Sequence, residues 1–461
     1  MRISSDDTIA AISTPAGEGG IGIVRLSGKD AIRIADKIFV SKSAGKIKGF
    51  KSHTVHYGHI SNKGDVVDEV ILTLMRSPRS YTKENVIEIN CHGGIQATRK
   101  VLDLVISGGA RPAEPGEFTK RAFLNGRLDL SQAEAVLDTI RAKTEGSLKA
   151  ALKQLEGGLS KDVNQLIDKL ADITADIEAS MDFPDEDIEP KDKAKLVEKA
   201  VSVSTGIKKL IDSYGKGMMM REGVLAIICG KPNVGKSSLM NLLLRRDRVI
   251  VSPIPGTTRD AVEEMIDIDG VPIRLVDTAG IGFLKDPLGK KSANKTRGYM
   301  DIADIVLLVL DGSRKIDAKD REIFRLVKGK KKLVIINKSD LGNKVVGPEL
   351  DRLSGGSDTL EVSVKKNVNI ALLEKKIALL IWGGSFNQAE SPTVASARHK
   401  ELLDKAHRHV LSVVKALNKE LYPELVAVDL KEAIFDLGLI TGRSVSEDIL
   451  KRIFEKFCIG K

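Results

Sequence analysis

Cysteine is scarce in this chain, and the few cysteines that occur form no pattern. Cys91, Cys229 and Cys458 stand alone among 461 residues and share no paired spacing. An odd, scattered set excludes a disulfide framework and a cysteine-rich zinc site. It also predicts a reducing compartment, because disulfides persist mainly in oxidising ones.

Long apolar runs are missing as well. No stretch approaches the roughly 20 apolar residues that a membrane-spanning helix requires. Residues 1–7 turn acidic at once, whereas a secretory signal would lead into an apolar segment. The sequence therefore predicts a soluble, cytoplasmic protein without a membrane partner.

Acidic residues are outnumbered by basic ones, 63 against 73, which gives a formal net charge of +10. This balance permits a polyanionic partner such as RNA, but a merely soluble basic surface would look the same. The chain is too long for one compact domain, and its length suggests three.

One segment carries a phosphate-binding motif. Residues 230–241 read GKPNVGKSSLMN and match G-x-x-x-x-G-K-[ST] at Gly230, Gly235, Lys236 and Ser237. A β-branched apolar run precedes the motif and a helix start follows it, which is the context that a phosphate loop needs. Backbone N–H groups converge on the phosphates, Lys236 reaches the outer phosphates, and the Ser237 hydroxyl can ligate Mg²⁺. The motif predicts that a nucleoside triphosphate binds.

Two downstream motifs complete the predicted phosphate and magnesium site. They read GTTRD at residues 256–260 and DTAG at residues 277–280. Asp277 ends an apolar strand, where its carboxylate can hold Mg²⁺ through water, and Thr258 is the natural second hydroxyl ligand of the metal. Gly280 offers a backbone N–H to the γ-phosphate.

A further motif, NKSD at residues 337–340, selects the base. The Asp340 carboxylate can accept from N1–H and from the exocyclic amine of guanine, whereas adenine would leave it unpaired, so GTP is preferred over ATP. Ser363 and Lys365 are either a second base-contacting loop or an ordinary turn. The full predicted GTP-binding set is Asn233, Val234, Gly235, Lys236, Ser237, Ser238, Ser252, Pro253, Ile254, Pro255, Gly256, Thr257, Thr258, Asp277, Thr278, Ala279, Gly280, Asn337, Lys338, Ser339, Asp340 and Ser363.

The pattern of apolar and polar residues divides the chain into four segments. Residues 1–120 alternate strand-like and helical stretches and predict an α+β domain. Apolar residues recur every three or four positions in residues 152–181 and again in 402–421, with one kinked helix or two helices around Gly157. We therefore predict that residues 121–218 and 383–461 are two parts of a helical domain. Residues 219–382 hold the GTP-binding motifs. We therefore predict a multidomain α/β plus α protein in which a Ras-like phosphate-loop GTPase domain is inserted into an all-α helical bundle, with joints at residues 215–217 and 383–384.

A second glycine-rich segment is a false match. Residues 17–22 fit the dinucleotide-binding pattern G-x-G-x-x-G, but a strand-like run follows where that motif needs a helix. These glycines instead predict a tight turn before a strand that carries Arg25.

Several segments outside the GTPase motifs are more specific than the motifs themselves. They include PAGEGGIGIVR at residues 15–25, HGG at 92–94, PGEFTKRAFLNG at 115–126, DFP at 182–184 and FCIGK at 457–461. Together they resemble, from end to end, the bacterial and organellar tRNA uridine-modification GTPases of the MnmE/TrmE family.

This resemblance implies a complete reaction system. It implies an N-terminal domain that dimerises and binds 5,10-methylenetetrahydrofolate or 5-formyltetrahydrofolate, a helical domain, and an inserted GTPase. The homodimer would form a heterotetramer with an FAD-binding MnmG-type partner. The complex would add an aminomethyl or carboxymethylaminomethyl group to C5 of the wobble uridine of certain tRNAs.

The resemblance also assigns residues outside the GTP site. Folate contacts fall on Arg25, Glu88, Arg127 and Lys461, with Arg127 standing where some relatives carry lysine. Cys458 is a candidate for the modification chemistry, which would need an accessible thiolate. Alternatively, Cys458 only closes the last helix as an apolar residue.

The hydrolysis machinery is incompletely visible. The residue after D-x-x-G is Ile281, which cannot orient water as a glutamine would. The resemblance implies that K⁺ replaces an arginine finger, held by Asn233, Ser252, Ile254 and Thr257. The family's water-orienting glutamate falls on Gly289, and the one acid in residues 281–297 is Asp286. Either Asp286 substitutes for that glutamate or hydrolysis is slow.

Two other functions compete with this one. A GTPase switch in ribosome assembly, without modification chemistry, would carry an RNA-binding appendage after the GTPase domain. A folate-dependent aminomethyltransferase with a merely regulatory GTPase domain would leave residues 1–120 active alone.

Overall fold

The computed structural model describes residues 7–42, 45–182, 190–244, 263–277, 298–345, 347–383, 394–419 and 423–461. The chain divides into two compact units. The first comprises Met1–Leu137, Leu155–Ile188 and Glu420–Lys461, and the second comprises Asp138–Gln154 and Glu189–Lys419.

The first unit contains a seven-stranded sheet in the order β3-β4-β5-β6-β2-β1-β7. Its strands are β1 (Ile9–Ile12), β2 (Gly19–Ser27), β3 (Phe39–Ser41), β4 (Thr54–Asn62), β5 (Asp65–Met75), β6 (Val86–Gly93) and β7 (Arg111–Pro112). Helices α1 (Ala31–Ile38) and α2 (Ile95–Ser107) contribute Ile34 and Val101 to one core with Leu26, Leu72 and Ile89. This arrangement confirms the predicted N-terminal α+β domain. It also rules out the dinucleotide motif, because Gly22 lies inside β2 rather than at the start of a helix.

The first unit also contains helical segments that follow the sheet in the chain. They are α3 (Glu117–Leu124), the start of α4 (Leu130–Arg141), α6 (Gly158–Asp182), α13 (Pro423–Thr441) and α14 (Glu447–Phe454). Helices α6 and α13 pack against each other. Between α5 (Glu145–Leu155) and α6, Gly157 has a φ of +91°, which a glycine adopts without strain. The chain therefore forms two helices here, not one kinked helix.

The second unit contains a six-stranded sheet in the order β13-β12-β11-β8-β10-β9. Its strands are β8 (Val224–Cys229), β9 (Glu263–Ile268), β10 (Val271–Asp277), β11 (Ile305–Asp311), β12 (Lys332–Asn337) and β13 (Thr359–Glu361). Among the described strands of this sheet, β9 and β10 form the one antiparallel pair, and the other pairs are parallel. The central strands β8, β11 and β12 are buried along their whole length, as their continuous apolar runs predict for a parallel sheet covered on both faces.

Helices surround this sheet. Helix α8 (Lys236–Leu244) follows the phosphate loop, and α9 (Ala318–Leu326), α10 (Pro348–Ser354) and α11 (Ile370–Trp382) follow later strands. Two long helices, α7 (Pro190–Glu222) and α12 (Ala397–Asn418), pack against each other. The predicted phosphate-loop α/β domain is thereby confirmed.

One local prediction was wrong. Residues 215–217 are not a joint, because α7 continues through them to Glu222 and Gly223, at a φ of +81°, follows it. The predicted domain limit at residue 218 falls inside this helix.

Two of the three glycines inside α7, Gly215 and Gly217, differ in a way that tests its continuity. A Cβ on Gly215 would meet nothing within 4 Å, whereas a Cβ on Gly217 would lie 2.0 Å from the Val394 carbonyl oxygen. We expect Gly215→Ala to stabilise α7 by about 0.5–1 kcal/mol, because alanine loses less backbone entropy in a helix. We expect Gly217→Ala to destabilise it by roughly 1–3 kcal/mol through overpacking. Hydrogen exchange of the α7 amides measures both, and equal, negligible effects would show that the segment is a joint after all.

Candidate functional site

The phosphate loop requires its two motif glycines. Gly230 and Gly235 have φ values of +153° and +103°. A Cβ on Gly235 would lie 2.3 Å from Asn337 Nδ2, and a Cβ on Gly230 would lie 2.3 Å from the Val309 carbonyl oxygen. Asn233 also adopts a left-handed conformation, with a φ of +64°. The loop therefore passes closely against the ends of β11 and β12.

The lysine and serine of the motif lie near the end of β10. Lys236 is 6% exposed, and its Nζ donates to the Lys231 carbonyl oxygen at 2.8 Å. Burial lowers the pKa of Lys236, although the Asp277 carboxylate partly opposes this shift. Ser237 Oγ donates to Asp277 Oδ2 at 2.7 Å. Two oxygen ligands of the kind that Mg²⁺ prefers thus lie beside an ammonium group.

The predicted base-binding residues lie against the phosphate loop. Asn337 Nδ2 donates to the Val234 carbonyl oxygen at 2.8 Å. Ser363 Oγ donates to Asp340 Oδ1 at 2.5 Å and holds the pKa of that carboxyl below its usual value. The structure thus brings Ser363 to Asp340, the residue predicted to select the base.

A cavity of about 720 Å³ lies between these loops. Its lining comes from the phosphate loop, α8 and the base-selecting segments, and includes Asn233, Gly235, Ser238, Asn337, Lys338, Asp340 and Lys365. Its walls include residues predicted to bind GTP, and its volume lies in the range of ligand pockets.

Sequence reasoning missed an aspartate that holds Lys338. The Lys338 Nζ donates to Asp311 Oδ2 at 2.7 Å and to the Asn233 carbonyl oxygen at 2.9 Å. Ser313 Oγ donates to Asp311 Oδ1 at 2.6 Å. Burial by itself raises the pKa of Asp311. The hydrogen bonds from Lys338 and Ser313 outweigh burial, so the pKa of Asp311 is lowered. Asp311 thereby fixes the lysine that spans the two loops.

Two more aspartates hold the start of the phosphate loop. Lys231 Nζ lies 2.7 Å from Asp317 Oδ2 and 2.7 Å from Asp320 Oδ2. These two carboxylates also form a capping box at the start of α9. Burial opposes the charge on Lys231, but the two carboxylates outweigh burial and raise its pKa. The available signal was three aspartates within ten residues of the end of β11.

The residues predicted to contact folate gather in the first unit. Arg25 on β2 and Glu88 on β6 are paired in register, and Arg25 Nη2 lies 2.7 Å from Glu88 Oε1. The guanidinium carbons of Arg25 and Arg127 lie 5.7 and 4.6 Å from the centroid of the Tyr81 ring. An aromatic ring flanked by two cations and a carboxylate is thus available at one site.

The end of the chain joins the same place. Arg25 Nη1 donates to the Gly460 carbonyl oxygen at 3.3 Å, and Ser13 Oγ donates to it at 3.1 Å. Gly460 has a φ of +92°, and a Cβ there would lie 2.5 Å from the Ile12 carbonyl oxygen. Burial and the nearby Arg25 lower the pKa of Lys461. Cys458 is exposed, as a reacting thiol would need to be.

Part of the predicted site lies outside the described residues. This part comprises Ser252, Pro253, Ile254, Pro255, Gly256, Thr257, Thr258, Thr278, Ala279, Gly280 and Asp286, together with Ile281 and Gly289. In the ranges that the structure describes, no helix has the length and apolar character needed to cross a membrane.

Two family models match the chain. The model of the MnmE helical domain matches residues 130–458, and the model of the TrmE GTP-binding protein N-terminus matches residues 8–127. The tRNA modification GTPase MnmE of Thermoanaerobacter pseudethanolicus is 46% identical over 457 residues, which cover 99% of either chain. The protein of the same name from Clostridioides difficile is 45% identical over 456 residues, again 99% of each chain.

The similarity to these two relatives therefore extends over the sheet of the first unit, the helices and the phosphate-loop domain. This chain belongs to the MnmE family of tRNA modification GTPases.

Proposed function

We propose that the protein is a K⁺-dependent GTP hydrolase that acts with an FAD-binding, MnmG-type partner on the wobble uridine of certain tRNAs. The product is an aminomethyl or carboxymethylaminomethyl group at C5, built from a tetrahydrofolate one-carbon unit. The observation that carries this proposal is the full-length identity to tRNA modification GTPases. Asp340, which lines the cavity and accepts a hydrogen bond from Ser363, supports the nucleotide assignment.

The residues of the phosphate loop account for nucleotide binding. The N–H groups of residues 233–238 bind the phosphates, and Lys236 supplies a partly desolvated positive charge to them. Asp340 recognises guanine, held in place by the Ser363 hydroxyl. Mg²⁺ fits Ser237 beside Asp277, with Thr258 as a further ligand, and when bound it would neutralise developing phosphate charge.

K⁺ fits beside Asn233 in the phosphate loop. Asn233 is exposed in a left-handed conformation, and its carbonyl oxygen is already occupied by the Lys338 ammonium. This leaves the Asn233 amide oxygen for a cation, with Ser252, Ile254 and Thr257 as the remaining ligands. When bound, K⁺ would supply the positive charge that an arginine finger supplies elsewhere. Asp286 is the candidate for orienting the attacking water.

Folate fits the site around Tyr81. Glu88 offers a carboxylate for the pterin N–H groups, while Arg25, Arg127 and Lys461 offer positive charge to the acidic glutamyl tail. When bound, the folate would supply the one-carbon unit. Exposed Cys458 stands two residues from Gly460, which is hydrogen-bonded to Arg25, so the chain carries a thiol to this site.

The proposal also covers how the protein assembles with a second copy of itself and with its partner. The protein forms a homodimer through residues 1–120 and a heterotetramer with its partner in the cytoplasm. A ribosome-assembly switch without modification chemistry is disfavoured, because the 99% coverage of tRNA modification GTPases includes the entire N-terminal domain.

The first prediction tests the reaction. Nucleoside mass spectrometry of tRNA from cells that lack this protein should show loss of the C5 modification of wobble uridine. Asp340→Asn should fail to restore it, because the base-selecting carboxylate is gone. Asp358→Asn should restore it, since Asp358 pairs only with Lys376 among the described residues, on an exposed surface. Unaltered wobble uridine in the deletion strain would refute the main proposal.

The second prediction concerns water orientation. If Asp286 replaces the family glutamate, Asp286→Ala should lower K⁺-stimulated GTP turnover by roughly 10²-fold, the lower range for removal of a group that positions a proton. The binding affinity for GTP should stay unchanged. Unchanged turnover in KCl, compared with NaCl as the control, means that Asp286 has no such role.

The third prediction concerns Asp311. Asp311→Asn should weaken the interaction between residue 311 and Lys338 by about 1.5 kcal/mol, the lower value for a hydrogen bond to a charged group. As a result, the Kd for GDP should rise roughly tenfold. The matched control is again Asp358→Asn, a carboxylate that bonds a lysine at 2.9 Å. Fluorescent GDP binding measures both, and equal Kd values would show that Asp311 does not position Lys338.

A further inference from the structure

The long helices form two packed pairs of opposite charge. Helices α7 and α12 together carry thirteen lysines and arginines against six aspartates and glutamates. Helices α6 and α13 carry three against ten. The pair in the GTPase-containing unit is therefore basic, and the pair in the other unit is acidic. The modest net charge of the whole chain conceals this separation.

Basic charge is concentrated in the second half of α12. Residues 405–419 contain four lysines and arginines, two histidines and no acid. Three of these cations, Arg408, Lys415 and Lys419, are exposed and stand seven and four residues apart. At about 100° per residue they fall within roughly 40° of one another and span about 16 Å along the helix axis. We call this row the α12 ridge.

The ridge points away from the packed face of α12. Leu403, Ala406, Val410 and Val413 are fully buried and form the opposite side of the helix. Substitutions on the ridge should therefore leave the packing against α7 intact.

Ion pairs neutralise other cations of these helices but not the ridge. Lys208 pairs with Asp212 on α7, and Lys400 pairs with Asp404 on α12. The three ridge cations, by contrast, have no carboxylate partner within the part of the chain that the structure describes. Unpaired, exposed cations can release counterions from a polyanion without first breaking an internal salt bridge.

We propose that the α12 ridge binds the sugar-phosphate backbone of the tRNA substrate. A row of three cations along α12 and at its C-cap residue Lys419 complements a strand of phosphates and reads no bases, so it recognises RNA by charge and shape. The basic α7–α12 pair strengthens the attraction, since exposed charges act over about 8–10 Å at physiological salt. This inference rests on the proposed tRNA substrate and adds where that substrate docks.

The test compares two charge-matched double variants of the full-length protein. Arg408→Glu with Lys415→Glu changes the ridge. Lys209→Glu with Lys216→Glu makes the same charge change on exposed positions of α7, also seven residues apart and without an ion pair in the described ranges. The probe is bulk tRNA purified from cells lacking the protein, and binding is measured by filter retention between 50 and 200 mM KCl.

We expect the ridge variant to bind tRNA roughly tenfold more weakly and to reduce the slope of log K against log salt by about 2. The α7 variant should keep the wild-type slope. Thermal melting and GTP turnover should match the wild type in both variants, which shows that the fold is intact. Arg408→Lys with Lys415→Arg should restore binding, because the charges return.

Three outcomes would contradict the proposal that the α12 ridge binds tRNA. Equal loss in both variants would show only a diffuse basic field, and unchanged tRNA binding in the ridge variant would show no contact. A change in assembly mass by light scattering, with tRNA binding intact, would show that the ridge binds an acidic protein surface. Nucleoside mass spectrometry distinguishes failure of the ridge proposal from failure of the proposed function. If the ridge variant loses tRNA affinity while tRNA from the deletion strain keeps its wobble uridine modification, the proposed reaction is wrong but the ridge still binds tRNA.

Discussion

Two hydrogen bonds between the base-selecting loop and the phosphate loop determine the geometry of the nucleotide site. Asn337 donates to the Val234 carbonyl oxygen, and Lys338 donates to the Asn233 carbonyl oxygen. They set the separation between the phosphate loop and the segment that carries Asp340. Asn337 is the last residue of β12 and Lys338 follows it, so the parallel pairing of β11 with β12 places both donors. Ligand sites outside the carboxyl ends of parallel strands arise in this way.

The aspartates between β11 and α9 extend this constraint to the rest of the loop. Asp311 orients Lys338 on one side of Asn233, and Asp317 and Asp320 hold Lys231 on the other. The backbone between Lys231 and Asn233 is thus held from both directions. A cation at Asn233 would meet a loop that is already ordered, which lowers the entropy lost on binding.

The first unit uses the end of the chain in a comparable way. Ser13 and Gly460, 447 positions apart, are joined by a hydrogen bond, and Arg25 binds both Glu88 and the Gly460 carbonyl oxygen. The left-handed conformation of Gly460 allows the tail to approach β1 more closely than any side chain would permit. The tail that carries Cys458 is thereby anchored to Arg25, which pairs with Glu88 on the neighbouring strand.

Sequence alone determined the features that depend on neighbouring residues. The buried strand before Gly230, the motif spacing through Asp340 and the α+β texture of residues 1–120 follow from local apolar patterns and turn chemistry, and the structure reproduces them. Tertiary structure alone decided three things: that Asp311 holds Lys338, that α7 runs through Gly215 and Gly217, and that the charged helices sort into an acidic and a basic pair. Each depends on which segments become neighbours in space. Helical periodicity shows that a face is apolar, but not which face of another helix will cover it.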